Sequence, residues 1–140
     1  MGVADTQGST IKKHIVPGNL RASTLPKKFP GLYAVYESLV FRYLELFSGS
    51  YEGGYWDFVE LSNGGFYMSL RSSQPFHLII ASNGFDGEMS ADAASVVVNL
   101  FALCQLANEH ELDSLTEMFY ALRYYASEHS EARQILRAID

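Results

Sequence analysis

From Leu32 onward, apolar residues recur at Leu32, Val35, Tyr36, Leu39, Val40, Tyr43, Leu46 and Phe47. The spacing i, i+3, i+4, i+7, i+8, i+11 places them on one face of a helix. The glycine-rich SGSYEGG ends that helix. The period then changes to two. Residues 55–62 read as a strand, Asn63-Gly64 as a turn, and alternation resumes through Phe66 and Met68. Asn-Gly is the preferred pair for a type I′ turn, because both central positions need positive φ. A two-residue loop would set Leu61 opposite Phe66 and Val59 opposite Met68 on a core face. The second face would then carry Trp56, Phe58 and Glu60 opposite Arg71, Ser69 and Tyr67, with Arg71 able to stack on Trp56. A three-residue loop taking in Gly65 would exchange the partners. A third strand, Pro75 to Ala81, follows a short connection, so a three-stranded antiparallel meander is expected.

Helical spacing returns after SNGFDGEMS, a turn-rich segment. Ser90 is placed to cap a helix over about Ala91 to Ala107, with Asp92 favourable in its first turn. Val97, Val98, Leu100, Phe101, Leu103 and Cys104 make this the expected buried helix, with Cys104 a small buried hydrophobe. Further helices are predicted over Glu111 to Ser127 and Glu131 to Ile139, the last with Ser130 as cap. About four helices and three strands, segregated along the chain, argue for a single α+β domain.

Residues 1–28 lack this periodicity. They hold Lys12, Lys13, Arg21, Lys27 and Lys28 against Asp5, a net charge of +4. The other 112 residues hold five basic and fifteen acidic groups, a net −10. The expected organisation is a basic arm over 1–28, its first ten or so residues disordered, on an acidic domain over 29–140. An acidic body repels nucleic acid, since tight binding needs several cations to neutralise phosphates. The 140-residue length fits one domain. A single cysteine, Cys104, excludes an internal disulfide framework. No membrane segment and no secretory signal is read from the pattern, and a cytoplasmic monomer is expected.

Catalytic chemistry is poorly supported. His14, His77, His110 and His129 are scattered, so no metal site is expected. No G-x-S-x-G, P-loop or G-x-G-x-x-G occurs. The best paired carboxylates would be Glu60 with Asp86 or Glu88, if the two turns are neighbours; one carboxyl would then need a raised pKa. A small hydrolase of that kind is one alternative. An acidic DNA mimic is another, although Arg42, Arg71, Arg123, Arg133 and Arg137 interrupt the acidic body and no carboxylate array at phosphate spacing is seen.

Three segments carry a resemblance: GGYWDFVELSNGGFYM (Gly53 to Met68), NGFDGEMSADAA (Asn83 to Ala94) and YYASEHSEARQILRAID (Tyr124 to Asp140). In this order, across about residues 39–140, the chain resembles the ArdB/KlcA antirestriction proteins of plasmids and prophages. The resemblance implies an α+β domain that protects incoming DNA from host type I restriction enzymes while leaving modification largely intact. It implies no enzymatic activity, no cofactor, and no DNA mimicry of the ArdA kind. The implied partner is the host restriction-modification complex or an associated factor. The candidate partner-binding residues are Trp56, Phe58, Glu60 and Tyr67 of the hairpin, with Asn83, Asp86 and Glu88 of the second turn.

Overall fold

The computed structural model describes residues 10–140. The expected disorder of the first ten or so residues lies, apart from Thr10, outside them. The chain runs β1 (Lys13–Ile15), a 3₁₀ turn (Gly18–Leu20), α1 (Arg21–Lys28), α2 (Tyr33–Phe47), β2 (Trp56–Leu61), β3 (Phe66–Leu70), β4 (Phe76–Ile80), β5 (Phe85–Met89), α3 (Ala91–His110), α4 (Asp113–Ser127) and α5 (Ala132–Ile139). The α+β class is found. Among the described residues, five helices stand with two small antiparallel sheets, one ordered β1-β2-β3 and one made of β4 and β5. The third strand of the larger sheet thus comes from the basic N-terminal segment, and residues 76–80 start a separate hairpin. Lys-Lys-His-Ile has no strand-like alternation; β1 forms because β2 offers it an open edge, with Val16 N–H bonding Phe58 C=O at 2.9 Å.

The β2–β3 register differs from the expected one. Phe58 faces Met68, Val59 faces Tyr67 and Glu60 faces Phe66. The loop is Ser62-Asn63-Gly64. Gly64 N–H closes a turn on Leu61 C=O at 3.0 Å, and Leu61 N–H bonds Gly65 C=O at 2.9 Å. Gly64 alone has positive φ (+90°), so this is a three-residue loop with one left-handed residue, not a type I′ turn. Asn63 explains the choice. Its side-chain oxygen accepts from Gly65 N–H at 3.0 Å, and its amide donates to Ala121 C=O of α4 at 2.9 Å. A side chain that closes its own turn and ties it to a helix favours this loop.

The shift moves Tyr67 to the opposite face from Trp56 and Phe58. Phe58 and Phe66 pack beneath Arg21, Phe29 and Tyr36, under α1 and α2. Tyr67 packs against Tyr125 of α4. Both faces of the sheet are therefore covered. Arg71 stacks on Tyr55, not on Trp56, and binds the Asp57 carboxylate through two nitrogens.

Helix α3 is the central element. Its Ser90 cap accepts from Ala93 N–H at 3.1 Å. By length and composition α3 could cross a membrane, yet most of it is buried inside this domain. It lies along the outer edge of β3, where a fourth strand would otherwise be. Buried Asn99 accepts from Met68 N–H (3.0 Å) and donates to Met68 C=O (2.9 Å) and Ser95 C=O (2.7 Å). The Tyr36 hydroxyl adds a fourth bond. Ser95 Oγ accepts from Leu70 N–H at 2.9 Å. An exposed strand edge is a template for wrong pairing; here two helix side chains close it. Cys104, expected to be buried, lies on the outer side of α3 and is exposed.

Candidate functional site

The sequence-derived candidates do not form one surface. Trp56 and Phe58 are 4% and 5% exposed, and Tyr67 is fully buried. Their rings are core. Glu60 points to the face holding α1 and pairs with Lys28 at 3.1 Å. Asn83 repeats the device of Asn63: its oxygen accepts from Phe85 N–H at 3.0 Å and its amide donates to Ala138 C=O of α5 at 2.8 Å. Asp86 and Glu88 lie on β5 with their side chains exposed. Asp86 contacts His77 of β4 at 2.5 Å. Glu60 therefore does not meet Asp86 or Glu88: it stands in the other sheet with a different partner, and the clefts that Glu60 and Glu88 line share no residue.

The densest polar cluster was not anticipated. Asp92, in the first turn of α3, accepts from Tyr67 Oη (2.9 Å), Ser69 Oγ (2.7 Å) and His129 Nε2 (2.8 Å). Lys13 Nζ of β1 lies 3.9 Å from the same carboxylate. His129 Nδ1 accepts from Glu131 N–H at 2.9 Å, so the neutral imidazole carries its proton on Nε2. Glu131 in turn accepts from Ser90 N–H at 2.9 Å and from the Ser90 hydroxyl. Burial alone pushes the Asp92 carboxyl up. Hydrogen bonds from His129, Ser69 and Tyr67, with the charge of Lys13, outweigh it and hold the pKa at about 2. The Tyr67 hydroxyl is pushed well above its ordinary range by burial first and the Asp92 charge second.

This cluster borders a cleft of about 420 Å³. It contains Ser, His and Asp, but the wiring is not that of a nucleophile. The Tyr67, Ser69 and Ser90 hydroxyls donate to carboxylates, and the two imidazole nitrogens are taken by Asp92 and a backbone N–H. A Ser–His pair would need a hydroxyl on the imidazole. What the arrangement does is join β1, β3, α3 and the α4–α5 connection at one carboxylate. Among the described residues, no three His, Cys, Asp or Glu side chains are grouped to hold a metal ion. Sequence reading missed the cluster because Asp92 and His129 are 37 positions apart. The one available signal was Asp92 itself, read only as favourable to the helix dipole.

Comparison with known proteins decides the family. A family model described as "Antirestriction protein" matches residues 49–140, more than half of the chain. The chain belongs to the antirestriction protein family. One Antirestriction protein KlcA of Escherichia coli is 45% identical over 108 residues, covering 74% of each chain. Another Antirestriction protein KlcA of Escherichia coli is 39% identical over 141 residues, covering 97% of this chain and 99% of the relative. A solved structure matches over 100% of both chains at TM-score 0.88 and 37% identity. It belongs to work on the KlcA and ArdB proteins, reported to show a novel fold and antirestriction activity against Type I DNA restriction systems in vivo but not in vitro. The antirestriction segment spans both hairpins and α3 to α5, so the Asn63 and Asn83 ties, the β3 edge and most of the Asp92 cluster fall inside it.

Proposed function

We propose that this protein protects incoming DNA by blocking host type I restriction in the cytoplasm, through contact with a protein of the restriction machinery and without chemistry of its own. The observation that carries the reading is the full-length match at TM-score 0.88 to proteins active in vivo but not in vitro. Activity that needs the cell favours a partner or cellular state over direct catalysis on DNA. Two features of this chain support the same view. The carboxylates that a hydrolase would pair are apart, and the hydroxyls of Tyr67, Ser69 and Ser90 are directed to carboxylates, not to His129. Basic groups of the N-terminal segment fold onto the body, Lys13 at Asp92 and Lys28 at Glu60, which breaks up the acidic surface that a DNA mimic would need.

The test is plating of unmodified phage on a type I restricting host that expresses the protein. Plating should rise on that host and stay unchanged on a non-restricting one. Purified protein added to the purified endonuclease should leave cleavage intact; complete inhibition there would replace the cell-dependent reading with direct inhibition.

A further inference from the structure

We propose that the outer face of α4 is a docking surface for a lysine- and arginine-rich segment of a partner protein. Asp113, Glu117, Tyr120 and Tyr124 follow one another at i, i+4, i+7 and i+11, so they share a single stripe of α4. All four are exposed. Tyr120 is 63% exposed and Tyr124 58%, and neither hydroxyl has a hydrogen-bond partner among the described residues. Tyr120 has one ring neighbour, Phe119 at 5.2 Å; Tyr124 has none. The third tyrosine of this helix behaves differently: Tyr125 is buried against Tyr67. Two large rings left in solvent one turn apart are what interface anchors look like before binding.

The chemistry of the partner follows from charge. Below the tyrosines the stripe is acidic, and the adjoining corner adds exposed Glu111. Glu111, Asp113 and Glu117 have no ion pair among the described residues. The nearest arginine in sequence, Arg123, is half-buried and directed to Asp140 at 3.9 Å. A basic segment laid along α4 would meet carboxylates for two turns and tyrosine faces for the next two, where cations bind the ring quadrupole. Lys- and Arg-rich surfaces are what DNA-handling proteins use to hold phosphates. The inference deepens the protein-contact reading above, and its cellular arm rests on that reading.

The experiment compares Tyr120→Ala/Tyr124→Ala, Glu117→Lys and a charge-matched control, Glu45→Lys on the exposed side of α2, in the plating assay at matched soluble abundance. These are exposed helix positions, where substitutions leave the fold intact. The wild type and Glu45→Lys should protect equally, and the two stripe variants should lose about tenfold or more, the loss of one good anchor contact. Full protection by both stripe variants overturns the surface. An equal loss in Glu45→Lys also overturns it, because net charge would then be what matters. If the wild type itself fails to protect, the functional reading falls, and the surface is judged by a second measurement. A hexa-arginine peptide titrated into the protein should move amide NMR signals in 111–124; shifts elsewhere, or none, contradict the proposal.

Discussion

The two hairpins are built alike and used differently. Each turns on Ser-Asn-Gly, and each Asn closes its own turn while its amide holds a helix carbonyl, Ala121 for Asn63 and Ala138 for Asn83. The β2–β3 hairpin is covered on both faces and along its β3 edge. The β4–β5 hairpin buries Phe76, Leu78, Ile80, Phe85 and Met89 on one face and leaves His77, Ile79, Asp86 and Glu88 in solvent on the other. The most distinctive stretch of sequence, GGYWDFVELSNGGFYM, is therefore scaffold. Gly54 shows how tight it is: a Cβ there would come within 2.8 Å of a Leu70 methyl. In this motif Trp56, Phe58, Phe66, Tyr67 and Met68 are buried by packing, while Tyr55 and the Ser62-Asn63-Gly64 turn stay at the surface.

Substitutions should separate the two hairpins. The largest effect is expected at Asn99, which closes the β3 edge. Asn99→Ala leaves Met68 N–H and C=O and the Tyr36 hydroxyl unpaired in the core, at about 1–3 kcal/mol for each unsatisfied group. A loss of about 3 kcal/mol or more in urea unfolding is expected. A loss under about 1 kcal/mol would mean that the edge is not held by α3.

Next comes Asp92. Its folded pKa of about 2 lies below the unsupported value of 3.8. A carboxylate depressed on folding stabilises the protein above the unfolded value, and that stability is lost as pH falls through the folded one. The difference corresponds to about 2 kcal/mol at neutral pH, reduced to about 1–2 because the side chain is partly exposed. Asp92→Asn should therefore be less stable than wild type at pH 7, with the gap closing between about pH 4 and pH 2. A gap constant across that window would remove the electrostatic account of the cluster.

The turns test the likeness directly. Asn63→Ala and Asn83→Ala each remove a turn bond and a helix tie, and each should cost about 1 kcal/mol. Calorimetry showing one to be silent would break the parallel. The smallest effect is expected on the open face of the second hairpin. His77→Ala should change stability by less than about 0.5 kcal/mol, since exposed pairs contribute little.

The pattern of residues made the framework legible. The stripe of α2, the Ser90 cap, the apolar length of α3 and a turn at Asn63-Gly64 were all readable locally. Three things were not. The register depended on a side chain bonding its own backbone and a helix 58 positions away, which no alternation rule includes. β1 has no strand-like pattern and exists only by pairing. Asn99 reads as a polar interruption in an apolar helix until β3 is beside it. For the candidate site, the register shift sent Tyr67 to the opposite face from Trp56 and Phe58, and long-range packing covered those two rings, Phe58 by Arg21 and Trp56 by Phe41 and Tyr51.

Plating of unmodified phage on a type I restricting host tests the central claim most directly. The account predicts that expression of this chain raises plating there and leaves plating on a non-restricting host unchanged. Unchanged plating on the restricting host, with the protein folded and abundant, would contradict it.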